Sequence, residues 1–265
     1  MGLTRTTGPL SPTAPATANY VIDGPPHKLL AHPFGRRVRA VLGGRTVLDT
    51  RDGLLLHETA LLPVLYVPFA DIDAAVLEPS AHTTHCPFKG DAAYHSLRVD
   101  DRFVENALWS YPDPKPAAAW LAGHAALYWT AADAWYDEDE QVYAHLTDPY
   151  TRVDIRPTSR TVEVRHGDTV LARSEHPTML AETGLPHRYY LQESDVAATL
   201  EPSPTRTRCP YKGEAGYRSV RLPDGRLLAD AAWVYPEPLP EAARIAGLLS
   251  FAHDELTVLV DGTPV

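Results

Sequence analysis

Two short stretches of the chain carry the same reactive side chains in the same order: THCPFKGDAAY at 84–94 and TRCPYKGEAGY at 207–217. Seven of the eleven positions are identical, including the cysteine, the lysine and the tyrosine. Pro87 and Pro210 hold φ near about −65°, and Gly90 and Gly213 permit a tight exit, so the phrase reads as a turn. In such a turn Cys86 and Lys89, or Cys209 and Lys212, can face the same side. An ammonium beside a thiol favours the thiolate and draws its pKa down from about 8.5, which makes a nucleophile or an anion-binding group. A lysine of depressed pKa offers instead a Schiff base or a general base. Packing explains the same residues: free cysteine often fills core volume, and Pro-x-x-Gly is a turn without any chemistry.

Other candidates surround the phrase. Glu58 and Glu182 each close an apolar strand (LLLHE, TMLAE), where a carboxylate could pair with Lys89 or Lys212 or work as an acid or base. Tyr94 and Tyr217, with Ser96 and Ser219, follow the turn at period two and share one strand face. Trp109 with Tyr111, and Trp233 with Tyr235, add an aromatic pair per copy, either as core or as the wall of a site for a small planar ligand. His82, His85, Cys86 and His95 tempt toward a metal, with His57 in reach. Arg208, Arg218 and Ala181 replace His85, His95 and His57 in the second phrase's surroundings, so no shared metal site is expected. If chemistry needs an imidazole, the first copy works; if it needs fixed positive charge, the second is the better pocket. No GxSxG, HExxH, P-loop or GxGxxG is present, and no cofactor is called for.

The elements that position these residues are themselves repeated. VRAVLGGRTVLDT (38–50) matches VEVRHGDTVLARS (162–174), and ALWSYPDPKPAAAWLAG (107–123) matches AAWVYPEPLPEAARIAG (231–247). HETALLPVLYVPFADIDAAVLEPS (57–80) matches AETGLPHRYYLQESDVAATLEPS (181–203). The expected organisation is a disordered leader (1–30), repeat one (31–140), an ordered connector (141–159) and repeat two (160–265). Within each repeat, Gly-Gly or His-Gly-Asp makes a hairpin. Short strands follow at about 8–12-residue spacing, with short helices capped by Asp71 or Ser194 and at PAAAWLAG or PEAARIAG. The fold class is mainly β: two homologous small barrel or sandwich domains, expected to pack about a pseudo-twofold axis.

Composition narrows the partners. A net charge of −10 argues against a nucleic-acid backbone. No apolar run approaches the roughly 20 residues of a membrane span. The first residues lack the apolar core of a secretion signal, and only two cysteines occur, so a reducing cytoplasm is expected. The chain names no oligomeric state.

The string of hairpin, LHE or LAE, LEPS, T-x-CP[FY]KG-x-A-x-Y and W-x-YP-x-P resembles a bacterial family, domain of unknown function 427, in tandem form. That family is also labelled nucleotidyltransferase-like. The resemblance implies a compact, mainly β domain of tent or barrel kind and no established activity. It carries no Gly-Ser with paired Asp for Mg²⁺ and a triphosphate, nor the CxxC pairs of zinc-binding β-tent relatives. The expected function is binding of a small molecule in a pocket around the CPxKG turn, by an enzyme using Cys, Lys and Glu or by a binding protein. The alternatives are a non-catalytic ligand sensor or scaffold, and nucleotide transfer as the label suggests.

Overall fold

The computed structural model describes residues 3–4, 8–12, 19 and 24–265. Repeat one runs β1 (Leu29–Pro33), β2 (Val38–Leu42), β3 (Arg45–Thr50), β4 (Leu54–Glu58), β5 (Val64–Pro68), β6 (Leu77–Cys86), β7 (Gly90–Val99), β8 (Arg102–Ser110), β9 (His124–Leu127), β10 (Ala134–Asp137) and β11 (Glu140–Val142). Repeat two runs β12 (Val153–Pro157), β13 (Val162–His166), β14 (Thr169–Ser174), β15 (Thr178–Glu182), β16 (Arg188–Tyr190), β17 (Thr199–Cys209), β18 (Gly213–Arg221), β19 (Leu227–Val234), β20 (Leu249–Phe251), β21 (Thr257–Val260) and β22 (Thr263–Pro264). The mainly β class and the duplication are both present, but no sheet closes. Repeat one has a seven-stranded sheet of order β1-β4-β5-β9-β8-β7-β6 and a four-stranded sheet, β11-β10-β2-β3. In repeat two the large sheet is divided into β12-β15-β16 and β17-β18-β19-β20, with a backbone bridge between them at Leu191–Leu249. These are open sandwiches rather than barrels.

Side-chain alternation places an apolar cluster on each face of the large sheet. Leu55, Val67, Leu97 and Leu108 face the four-stranded sheet and pack on Val38, Ala40, Val47 and Leu48. Leu56, Tyr66, Ala92 and Tyr94 face the other way, under a 3₁₀ turn at Pro116–Leu121 that contributes Ala118 and Leu121. Repeat two copies both, with Val162, Leu171, Val220 and Phe251 in the first cluster and Leu180, Tyr190, Ala242 and Ile245 in the second. The second cluster carries the site.

Several expectations change in detail. The segments at PAAAWL and PEAARI are 3₁₀ turns. Asp71 ends its turn instead of capping it; the cap is Asp73, whose carboxylate accepts from Ala75 N at 3.0 Å, while Asp71 accepts from Thr50 Oγ1 at 2.6 Å. Ser194 likewise lies inside its turn, behind Gln192. The connector is divided: β11 completes a sheet of repeat one, β12 starts a sheet of repeat two, and the compact units part after Asp148. Half of the leader lies outside the described residues. Where it is described, Thr4 donates its hydroxyl to Leu61 O (2.8 Å), and Thr59 donates to Leu10 O (2.8 Å). Among the described residues, no helix is long and apolar enough to cross a membrane.

Candidate functional site

Glu58 ends the row Leu54, Leu56, Glu58 that β4 presents to the second cluster, and it is only 5% exposed. Lys89 sits in the turn between β6 and β7 and is 6% exposed. Its ammonium donates to Glu58 Oε2, so the two groups predicted from the sequence meet inside the protein. The other carboxylate oxygen, Oε1, lies 2.8 Å from His27 Nε2. The His27 ring is stacked on Phe88 of the turn, 3.7 Å between centroids and 7° from parallel. A second loop fixes the turn. Lys115 N donates to Lys89 O (2.9 Å) and Lys115 Nζ to Pro87 O (2.7 Å). Gly90 has φ 109°, and a Cβ there would stand 3.2 Å from Asp113 O, so glycine is required.

Tyrosine and tryptophan enclose the pair. Trp109 donates Nε1–H to Tyr66 OH at 3.0 Å, and Tyr111 places its ring 5.9 Å from Lys89 Nζ. Tyr94 OH pairs with Thr84 Oγ1 at 3.0 Å. The wall reaches the surface through Tyr128, which packs on Trp109 at 4.5 Å. Burial pushes the hydroxyls of Tyr66 and Tyr111 well above the usual phenol range, and the nearby Glu58 charge adds to it. Both therefore stay protonated and able to donate.

Repeat two builds the same Lys–Glu and Trp–Tyr constellation. Lys212 donates to Glu182 Oε2 at 2.5 Å, and Trp233 donates to Tyr190 OH at 3.2 Å. Tyr217 OH pairs with Thr207 Oγ1 at 3.1 Å, and Tyr235 is buried in the same cluster. Burial raises Tyr190 to about 12. Matching bonds from Lys28 N to Thr59 Oγ1 and from Arg152 N to Thr183 Oγ1 place Thr151 where repeat one has His27.

Each lysine ammonium bonds its glutamate, and among the described residues neither ammonium forms a hydrogen bond to the cysteine of its own turn. Cys86 and Cys209 are free, half-buried thiols opposite Gly90 and Gly213 in their hairpins. Cys86 packs against the second cluster, while Lys89 is committed to Glu58. The histidines singled out by sequence scatter. His57 points to the opposite face of β4, where its Nε2 lies 3.1 Å from His32 Nε2. His85 pairs with Asp91 (2.6 Å) as Arg208 pairs with Glu214 (2.9 Å), both as cross-strand surface contacts. His95 meets the edge of Phe69, Arg218 donates to Tyr217 O (3.1 Å), and His82 meets the edge of Tyr94. The imidazole asymmetry between the copies is real, but it comes from His27. Among the described residues, no three His, Cys, Asp or Glu gather as a metal would need. Ser96 and Ser219 accept from Asn106 N (3.0 Å) and Asp230 N (3.3 Å), holding the bulges of β8 and β19.

The profile of the family described as domain of unknown function (DUF427), or NTP_transf_9, matches residues 30–138 and again 154–262. The chain belongs to the DUF427 family. Its two DUF427 copies each contain one CPxKG turn, one buried Lys–Glu pair and one Trp–Tyr hydrogen bond. No curated protein matches the chain.

Sequence reasoning missed two kinds of residue. Tyr66 and Tyr190 are identical in the aligned repeats, so a signal existed. His27 precedes the repeat and had none, because only the fold brings the chain before β1 across the CPxKG turn.

Proposed function

We propose that each DUF427 copy binds a small planar molecule beside its CPxKG turn, and that repeat one is the copy equipped to move a proton. The observation that carries this reading is Glu58, a buried carboxylate shared between the Lys89 ammonium and the His27 imidazole. Buried ionisable groups in apolar surroundings cost folding energy and concentrate at functional sites. Within the Lys–Glu pair the charges cancel. The groups left for a ligand are the His27 ring, the Cys86 thiol, the protonated tyrosine hydroxyls and the Trp109–Tyr128 wall. Glu58 orients the His27 ring through its Oε1, the arrangement of a general acid or base with its positioning carboxylate. Two free thiols suit a reducing compartment, and we place the activity in the cytoplasm.

The competing reading is a scaffold in which the pair only clamps the turn, and the same burial favours it. A thermal-shift screen of small aromatic and heteroaromatic metabolites on the full chain separates the two. Nucleoside triphosphates with Mg²⁺ belong in the screen, as a test of the nucleotidyl-transfer label. A ligand that stabilises wild type by mass action and loses its effect in His27→Ala supports a site. Ligands that act equally on wild type, His27→Ala and Cys86→Ser, or no ligand at all, leave the clamp.

A further inference from the structure

The duplication supplies an internal control on the aromatic wall. In repeat one Tyr128 packs on Trp109, 4.5 Å between ring centroids, and its hydroxyl interacts with that of Tyr94. His82 meets the Tyr94 ring edge-on at 4.6 Å. Beneath these two rings Tyr94 is only 7% exposed. Repeat two has neither ring. Tyr128 N donates to Ala107 O and Ala252 N to Ala231 O, which aligns Tyr128 with Ala252. His82 N donates to Ser80 Oγ and Thr205 N to Ser203 Oγ, which aligns His82 with Thr205. Tyr217, the counterpart of Tyr94, is only half-buried.

A third replacement adds charge where the rings are lost. Leu180 pairs with Arg188 as Leu56 pairs with Val64, so Arg188 stands where repeat one has Val64. Arg188 shares the face of β16 that carries Tyr190. Its guanidinium lies over the Trp233 ring, 5.7 Å from the centroid, and its charge is felt at the Tyr190 hydroxyl. Continuing the antiparallel Val67–Ala125 pairing by three residues sets Val64 opposite Tyr128, and continuing Leu191–Leu249 in the same way sets Arg188 opposite Ala252. The cation therefore borders the place that a phenol ring fills in repeat one. Arg188 is exposed and makes no ion pair among the described residues.

An aromatic surface without its cover, beside a cation without a counter-ion, fits a ligand that supplies both. We propose that repeat two binds a para-hydroxylated aromatic carboxylic acid in the place of the Tyr128 ring. This rests on the reading that each copy takes a planar molecule beside its CPxKG turn, and it names the class for repeat two. The ligand's ring packs on Trp233, and its hydroxyl meets that of Tyr217 as Tyr128 meets Tyr94. Its carboxylate, at the end where the Tyr128 ring joins the backbone, is held by the Arg188 guanidinium. Repeat one, with Val64 and its own tyrosine in place, is closed to such an acid.

Isothermal titration of the full chain with 4-hydroxybenzoate and 4-hydroxyphenylacetate, each beside its neutral amide, tests this. The expected result is binding of at least one acid, with its amide weaker by about tenfold or more, since a charge-assisted bond to Arg188 is lost. Arg188→Val, which installs the repeat-one residue at an exposed position, should bring the acid down to the affinity of its amide. Ala252→Tyr, which restores the missing ring, should abolish binding of acid and amide alike while circular dichroism shows a folded chain. His27→Ala, a change in repeat one, should bind the acid as wild type does. The proposal is overturned if no acid binds at millimolar concentration, if acid and amide bind equally, if either repeat-two variant binds the acid as wild type does, or if His27→Ala loses it. Equal binding of acid and amide that Ala252→Tyr abolishes would sink the acid class and leave the planar-molecule reading standing. No binding of either would remove that reading from repeat two as well.

Discussion

Lys89 and Glu58 are each almost wholly removed from water, and each is the other's compensation. Removing one partner of such a pair strands a buried charge and costs about 3–5 kcal/mol, whereas replacing both with apolar side chains is often close to neutral. Glu58→Gln and Lys89→Met should therefore each lower the urea midpoint sharply, and the Glu58→Leu/Lys89→Met double variant should recover most of the loss. Losses that simply add would show that the pair is not coupled. His57 gives a second test at this scale. Burial holds its pKa below the ordinary value, His32 pushes the same way, and Asp148 opposes. Burial also lowers His95. A proton then binds more tightly to the unfolded chain, so stability rises with pH and is lost as pH falls through about 6.5 toward the folded values. Carboxylates held low by hydrogen bonds, Asp49 by Arg37 and Asp133 by Gly43 N and then Arg102, add their own loss only nearer pH 4. Chemical denaturation between pH 7.5 and 5.5 should thus show falling stability in wild type and a shallower slope in His57→Gln/His95→Gln. Equal slopes would remove the histidines from the account.

Each site is built by a hairpin turn pressed against a Pro-rich loop. Lys89 O and Lys212 O accept from Lys115 N (2.9 Å) and Leu239 N (3.0 Å), and Gly90 and Gly213 leave their turns at φ 109° and 98°. An alanine at Gly90 would be strained in φ and would crowd Asp113 O, so Gly90→Ala should cost about 1–3 kcal/mol. Gly216→Ala is the contrast, because a Cβ there meets Arg206 Cζ at an ordinary 3.7 Å. If both variants lose equal stability in urea, the turn's backbone is not the constraint. The turn was legible in the sequence because Pro and Gly have strong local preferences. The 3₁₀ character of PAAAWL was not, since a short apolar run with Pro at its start suits either helix. Nor were the bulges at Asn106 and Asp230, with φ of 50° and 52°, which no local rule demanded and which tie the hydroxyls of Ser96 and Ser219 to backbone N–H groups.

At the scale of the whole chain, each unit owns a complete pair of apolar clusters, and no strand is shared between units. Residues 149–265 alone should therefore fold, with a single cooperative urea transition and the far-ultraviolet spectrum of a β protein. A fragment without such a transition would mean that the units are not independent. The duplication, the strand-rich class and the CPxKG turn could all be read from the sequence, and the Lys89–Glu58 and Lys212–Glu182 pairs were among the pairings it offered. Each follows from local preference or from comparing one half of the chain with the other. Which of the possible partners each side chain takes could not be read. Whether Lys89 meets Cys86 or Glu58, whether His57 or His27 reaches the site, and whether the tryptophan of a copy lies under Tyr128 or under Arg188 depend on strand register and on which face of a strand a side chain occupies. Those are set by the packing of segments 30 to 100 residues apart, and a period-two element reverses its face with a shift of one residue.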